Sequence, residues 1–299
     1  MKEYKIRNKP AFRYAQSVID TYSNSFSLSS RLLPRRTRWA VYALYGFCRY
    51  TVNLINRSRT RTIDEIIQEL NLIKREIMIA YRTGESEHPV IISFIEMASH
   101  YGIPIEYPLN FLSGITMDAE QRQYKTYEDL YKFCSSLTGI IGLMMAYILG
   151  FQSKAALPYA EKLGVAMHLT NILRDVDDDI RAERLYLPVK DMKQFGVTPA
   201  MLLKRKMNEE IKTLMRFQVK RVHQLYSDAC PGIAMLNSKS RFAIYCASRI
   251  YQNLLIKIEL NQYNPFLGRV YLTDAEKFKI IIKEKSNRLF FQRGDNLQE

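Results

Sequence analysis

The chain has 299 residues, 47% of them hydrophobic, enough to bury the core of one large domain or two small ones. Its 12 Gly and 10 Pro are spread thinly, which favours long helices over a turn-rich β protein, and neither the four cysteines nor the four histidines show zinc-site or disulfide spacing. The formal net charge of +14 implies attraction to a phosphorylated substrate or an anionic membrane surface, and nucleic acid is excluded as a partner because no basic-aromatic or helix-turn-helix signature accompanies it.

In chain order, the basic N-terminal stretch lacks the apolar block of a secretory signal. Residues 10–33 carry helical spacing into a run of hydroxyl and amide side chains, Ser23, Asn24, Ser25, Ser27, Ser29 and Ser30, followed by Arg31, Arg35, Arg36 and Arg38. Such residues suit helix starts and phosphate contacts equally. A helix is predicted from about Arg36 to Asn56, another over 64–82, then a TGESEHP turn and a helix ended by Gly102 and Pro104. Residues 127–150 form an apolar helix with Ser135, Ser136, Thr138, Gly139 and Gly142 on its surface, small residues that allow close approach by a neighbouring helix or a lipid chain. The apolar run Leu137 to Phe151 is shorter than the ~20 residues of a spanning helix, so a buried core helix is expected.

Residues 168–188 read HLTNILRDVDDDIRAERLYLP. On a helix, His168, Asn171, Asp175 and Asp179 fall on one stripe, while Leu169, Ile172, Leu173, Val176 and Ile180 form the apolar face that directs it. Carboxylates one turn apart repel each other, and a hard cation with oxygen ligands offsets that repulsion. The spacing therefore suggests a diphosphate held through Mg²⁺, with a solvated acidic face as the alternative. Amphipathic helices follow over 198–228 and 232–262. No linker or repeat is visible, so one all-α domain is expected over residues 1–285, with a tail at 286–299.

This string, with SNSFSLSSRLLPRRTRWAVYALYGFCR at residues 23–49, resembles the squalene and phytoene synthase family over about Phe12 to Arg269. Its second acidic motif usually opens with glutamine, where this chain has His168, and often has glycine at the position of Asp177. The resemblance implies the isoprenoid synthase fold, a helical bundle around a central prenyl-diphosphate cavity, with Mg²⁺ as cofactor. It assigns Ser23, Ser25, Arg49, Phe133, Arg174, Tyr251 and Arg269 to the substrate, catalytic roles to Arg49, His168 and Tyr251, and metal ligation to Asn171, Asp175 and Asp179. Asp118 falls where the family has an aspartate near the diphosphate.

One helix departs from the family. The usual first motif reads CR, two residues, Asp-Asp, two residues, Asp; here Val52, Asn53 and Asn56 stand at the three aspartate positions. An uncharged site is a poor match for a hard divalent ion. Taken with the resemblance, this favours a farnesyl diphosphate phosphatase type of member, a hydrolase releasing farnesol. The alternatives are head-to-head coupling to squalene, dehydrosqualene or phytoene, and non-catalytic prenyl-lipid binding. A cytoplasmic protein, peripheral at the inner membrane face, is the expected setting.

Overall fold

The computed structural model describes residues 6–22, 30–56, 62–120 and 123–295. Its helices in chain order are α1 (Lys9–Tyr22), α2 (Arg35–Asn56), α3 (Ile63–Thr83), α4 (Pro89–Tyr101) and α5 (Glu106–Glu120). Then come α6 (Tyr127–Cys134), a π-helical turn (Ser135–Gly139), α7 (Ile140–Leu149), α8 (Leu157–Arg174) and α9 (Val176–Arg181). The last are α10 (Val189–Gln194), α11 (Pro199–Leu203), α12 (Glu209–Ala229), a 3₁₀ segment (Cys230–Met235), α13 (Ser238–Leu260) and α14 (Asp274–Asp295). Among the described residues extended pairing is limited to isolated bridges, Gln123 with Leu185 and Phe151 with Leu236.

Local chemistry explains the boundaries. Thr62 and Glu65 exchange hydrogen bonds at the start of α3 in a capping box, and Gly84 ends it at φ 78°, a left-handed conformation that costs glycine little. Ile66, Leu70, Ile73, Ile77 and Ala80 recur at spacings of three and four and are buried. In the centre of the bundle, Phe47 of α2 stacks on Phe94 of α4 at 4.2 Å and meets Phe111 of α5 at 5.9 Å, joining three helices through one aromatic cluster. The helix predicted over 198–228 is divided: α11 ends at Leu203 and α12 begins at the Asn208 cap. α14 continues past residue 286, where the sequence reads as the start of a tail.

The apolar stretch Tyr127–Leu149 is long and apolar enough to cross a membrane by length and composition, and more than half of it is buried in the bundle. It is not one continuous α-helix. The π turn at Ser135–Gly139 shifts the register where its small residues meet α8, as such single-turn insertions do. Ser135 donates to the Glu161 carboxylate of α8. A Cβ at Gly164 would lie 2.1 Å from the Thr138 carbonyl oxygen, and one at Gly142 would lie 2.2 Å from that of Ala160. Both contacts are to backbone, so neither can be relieved by turning a side chain. Gly164→Ala is expected to cost about 2–3 kcal/mol, read as a lower denaturant midpoint with unchanged slope; an unchanged midpoint would show that the two helices have room to part.

Candidate active site

A cavity of about 470 Å³ lies between α2, the π turn and α7, α8 and α13, with the 3₁₀ segment lining its far end. The dominant wall is α8, whose lining residues recur along nearly its whole length: Ala156 just before it, then Tyr159, Leu163, Met167, Asn171 and Arg174. Leu44 and Val52 of α2, Ile141 and Met145 of α7 and Ile250 of α13 make the remaining walls largely apolar. One end is polar, where Arg49, His168, Asn171, Arg174, Asp175 and Tyr251 converge.

The acidic stripe survives a break in the helix. Asp175 sits between α8 and α9 at φ −104°, ψ 11°, yet its N–H donates to Asn171 O at 2.9 Å, and the Asp179 N–H donates to Asp175 O at 2.8 Å. The helical spacing of Asn171, Asp175 and Asp179 is therefore retained, with Asn171 and Asp175 lining the cavity and Asp179 beside Arg184 and Tyr186 in a small adjoining pocket. The apolar face is buried throughout, with Leu169, Ile172, Leu173, Val176 and Ile180 at most 8% exposed.

Asp175 is held by two guanidinium groups. Arg174 donates from Nε to Oδ1 at 2.7 Å and from Nη2 to Oδ2 at 2.6 Å. Arg269, 94 residues further on, donates to the same two oxygens at 2.7 and 3.1 Å. Paired bidentate contacts of this kind fix both forks in place. The result presents two oriented cations at the polar end of an apolar cavity.

Burial, and then the neighbouring charge of Asp175, push the Asp179 carboxyl up to about 7. His168 is pushed down to about 4 by burial, so its ring is neutral near pH 7, and its Nδ1 has no hydrogen-bond partner among the described residues. Behind it, Tyr186 donates to Asp118 Oδ1 at 2.8 Å, while Arg184 Nη1 reaches Asp118 Oδ2 at 3.3 Å and the Tyr186 oxygen at 3.1 Å. Phe133 does not line the cavity: it is 1% exposed and packs against His168, Tyr124 and Tyr186 at 5.4, 5.0 and 5.8 Å. Asp118 thus belongs to a network supporting the floor under His168, and Phe133 to the packing of that floor.

Asp177 adds no charge to the stripe. It is turned the other way and held by Arg205, at 2.6 and 2.9 Å, and by Arg181 at 2.8 Å. Ser23 and Ser25 lie outside the described residues. On α2, Val52 contributes apolar wall and Asn53 is half-buried, while the Asn56 side chain lies outside the described residues.

Whether a cation fits depends on the donors available. Asn171 Oδ1 is buried and has no hydrogen-bond partner among the described residues, and the charge of Asp175 acts directly on Asp179. Because both Asp175 oxygens already accept from Arg174 and Arg269, a hard cation here would share that carboxylate with the two guanidinium groups while taking up the orphaned Asn171 carbonyl oxygen. Of the described first-motif positions on α2, Val52 has no donor oxygen and Asn53 does not line the cavity, and among the described residues no three His, Cys, Asp or Glu side chains form a metal cluster. Asn171, Asp175 and Asp179 are therefore the described donors that would hold a single Mg²⁺ on the α8–α9 side, completed by ligand oxygens.

A helical bundle around one apolar cavity with an acidic and arginine-rich end is the isoprenoid synthase fold. The squalene/phytoene synthase family model matches residues 19–276, and the chain belongs to that family. It is 30% identical to the phytoene synthase, chloroplastic, of Daucus carota, over 97% of this chain and 73% of that protein. It is also 30% identical to the phytoene synthase of Arthrospira platensis, over 89% of this chain and 90% of that one. The crystal structure of a dehydrosqualene synthase in complex with ligand superposes with a TM-score of 0.86 at 28% identity, covering 93% of this chain and 96% of that one.

These relatives correct the expectation of a phosphatase that releases farnesol, because they are named as synthases of coupled products along most of this chain. The physical reason lies in what decides between water and a second chain. Counting carboxylates on α2 measures metal charge. Access of water is set instead by the cavity walls, and Val52 at a first-motif position makes that wall more apolar.

Proposed function

We propose that the protein is a head-to-head prenyl transferase, joining two prenyl diphosphates into a hydrocarbon of the phytoene or dehydrosqualene type. The observation that carries this reading is the continuity of the apolar cavity with the arginine-bearing polar end. Arg49, Arg174 and Arg269 bind diphosphate oxygens, with the Tyr251 hydroxyl as a further donor. Ser23 and Ser25 are the additional hydroxyl donors that the family resemblance suggests.

Asn171, Asp175 and Asp179 would hold Mg²⁺, which when bound supplies charge neutralisation to the departing diphosphate. As the allylic C–O bond of the first substrate breaks, the electron pair leaves with diphosphate, and the walls around Leu44, Val52, Met145 and Met167 keep water from the carbon left electron-deficient. The double bond of the second chain captures it and the new cation loses a proton, giving a coupled monodiphosphate. The second diphosphate then leaves with its electron pair and loss of a second proton gives the hydrocarbon, so each product releases two diphosphates and two protons. Neutral His168 borders this space and can accept a proton or a hydrogen bond without adding positive charge.

Cytoplasmic placement is supported by the free thiols Cys48, Cys134 and Cys246, all buried and unpaired. Contact with an anionic membrane is supported by Phe278 and Ile282, both 56% exposed on α14, beside exposed Lys279, Lys283 and Lys285. Incubation with geranylgeranyl or farnesyl diphosphate and Mg²⁺, followed by extraction and gas chromatography, should yield a hydrocarbon of twice the substrate carbon number. Prenyl alcohol as the main product would overturn the assignment.

A further inference from the structure

The lining positions on α8 provide a ruler. Measured from Asn171, at the polar end, to Tyr159, near the far end, the helix rises through twelve residues, about 18 Å. An extended chain advances about 3.3–3.6 Å for every three backbone bonds, so a four-bond isoprene unit spans roughly 4.5–5 Å. Four such units fill the distance, three leave about one unit of empty wall, and five overrun it.

The lining continues one turn further to the small side chain of Ala156, and what stands before that last turn is Tyr159, seated on the 3₁₀ segment at a position without a side chain. A Cβ at Gly232 would lie 2.1 Å from Tyr159 Cβ and 2.7 Å from its Cγ. The aromatic side chain can therefore occupy this place only because residue 232 is glycine, and from that side its base has no room to retreat. Ile233 and Leu236 line the same end. A bulky, backed side chain across the end of an apolar channel is a steric stop, and channels of this kind discriminate by length because overpacking is costly while underfilling forfeits burial.

We propose that Tyr159, backed by Gly232, is the residue that sets prenyl chain length in this cavity, and that the length it admits is a C20 chain. The proposal rests on the prenyl-diphosphate reading of the site. Tyr159 acts by excluding the last isoprene unit of a longer chain and has no part in bond breaking, so its effect belongs to binding.

The test is equilibrium titration of the intact protein with non-hydrolysable prenyl thiolodiphosphates of C10, C15, C20 and C25, in the presence of Mg²⁺. Wild type should bind C20 most tightly and C25 at least about tenfold more weakly. Tyr159→Ala should bring C25 within about twofold of C20 while leaving C15 nearly unchanged, and Tyr159→Trp should move the optimum to C15. Tyr159→Phe, which keeps the volume, should retain the wild-type order. Affinity that rises steadily through C25 in wild type would overturn the proposal, as would a C25-to-C20 ratio unmoved in folded Tyr159→Ala or Tyr159→Trp. This length pattern without any coupled hydrocarbon would count against the transferase reading alone; coupled hydrocarbon without the pattern would count against Tyr159 alone.

Discussion

Asp175→Ala is expected to lower kcat by about 10²–10³-fold, the range for removing one element of a preorganised electrostatic site. Its two oxygens are where Arg174 and Arg269 converge, and the same carboxylate is one of three donors that fit Mg²⁺. Truncation removes the cation's charge partner and releases both guanidinium groups from fixed orientations, so metal binding and diphosphate positioning fail together. The fold should not fail with them, because the Asp175 side chain caps neither adjoining helix. Far-ultraviolet circular dichroism should be unchanged while turnover collapses. Turnover within a few-fold of wild type would mean that neither the metal nor the arginines depend on this residue.

Asp179→Asn should stabilise the metal-free protein at pH 8, and the gain should disappear at pH 4. The carboxyl is pushed from the ordinary carboxylate value of 3.8 up to about 7, first by burial and then by Asp175. Between those values the folded protein retains a proton that the unfolded chain has released. Wild-type stability therefore falls as pH rises through this window, and the full cost is present above pH 7. A shift of this size corresponds to at most about 4 kcal/mol, and asparagine removes it by having no charge to bury. Urea unfolding in the presence of a chelator at both pH values measures the difference. Equal gains at pH 4 and pH 8 would place the effect in packing rather than ionisation. With Mg²⁺ added at pH 8, wild type should recover stability that the asparagine variant does not.

Much of the scaffold was readable because it depends on near neighbours in the chain. The spacing of Ile66, Leu70, Ile73 and Ile77, the Thr62–Glu65 cap and the buried face Leu169 to Ile180 are all local patterns, and the helices follow them. The acidic stripe was readable for the same reason. What escaped depends on partners far away. Asp177 looks like a third site carboxylate until Arg205 is found against it, and nothing near Asp175 announces Arg269. The π turn arises where Gly139, Gly142 and Gly164 let two backbones meet. Small residues at 135–142 signalled close approach, but the 3.6-residue period gave no sign of a register shift. Phe133 shares the helix of the predicted tunnel but faces the His168 side. The cavity-lining set at Tyr159, Leu163 and Met167 carried a usable signal in its four-residue spacing, hidden because α8 is apolar on more than one face.

On the proposed reading, valine and asparagine at the first-motif positions would bear on the number of metal ions and much less on the fate of the reactive carbon. The central claim is that two chains are joined in one cavity. Its most direct measurement is the mass spectrum of the hydrocarbon formed from an equimolar mixture of unlabelled and fully deuterated prenyl diphosphate. Coupling predicts unlabelled, half-labelled and fully labelled products, with the half-labelled species the most abundant. Label recovered in prenyl alcohol, with no half-labelled hydrocarbon, would contradict the account.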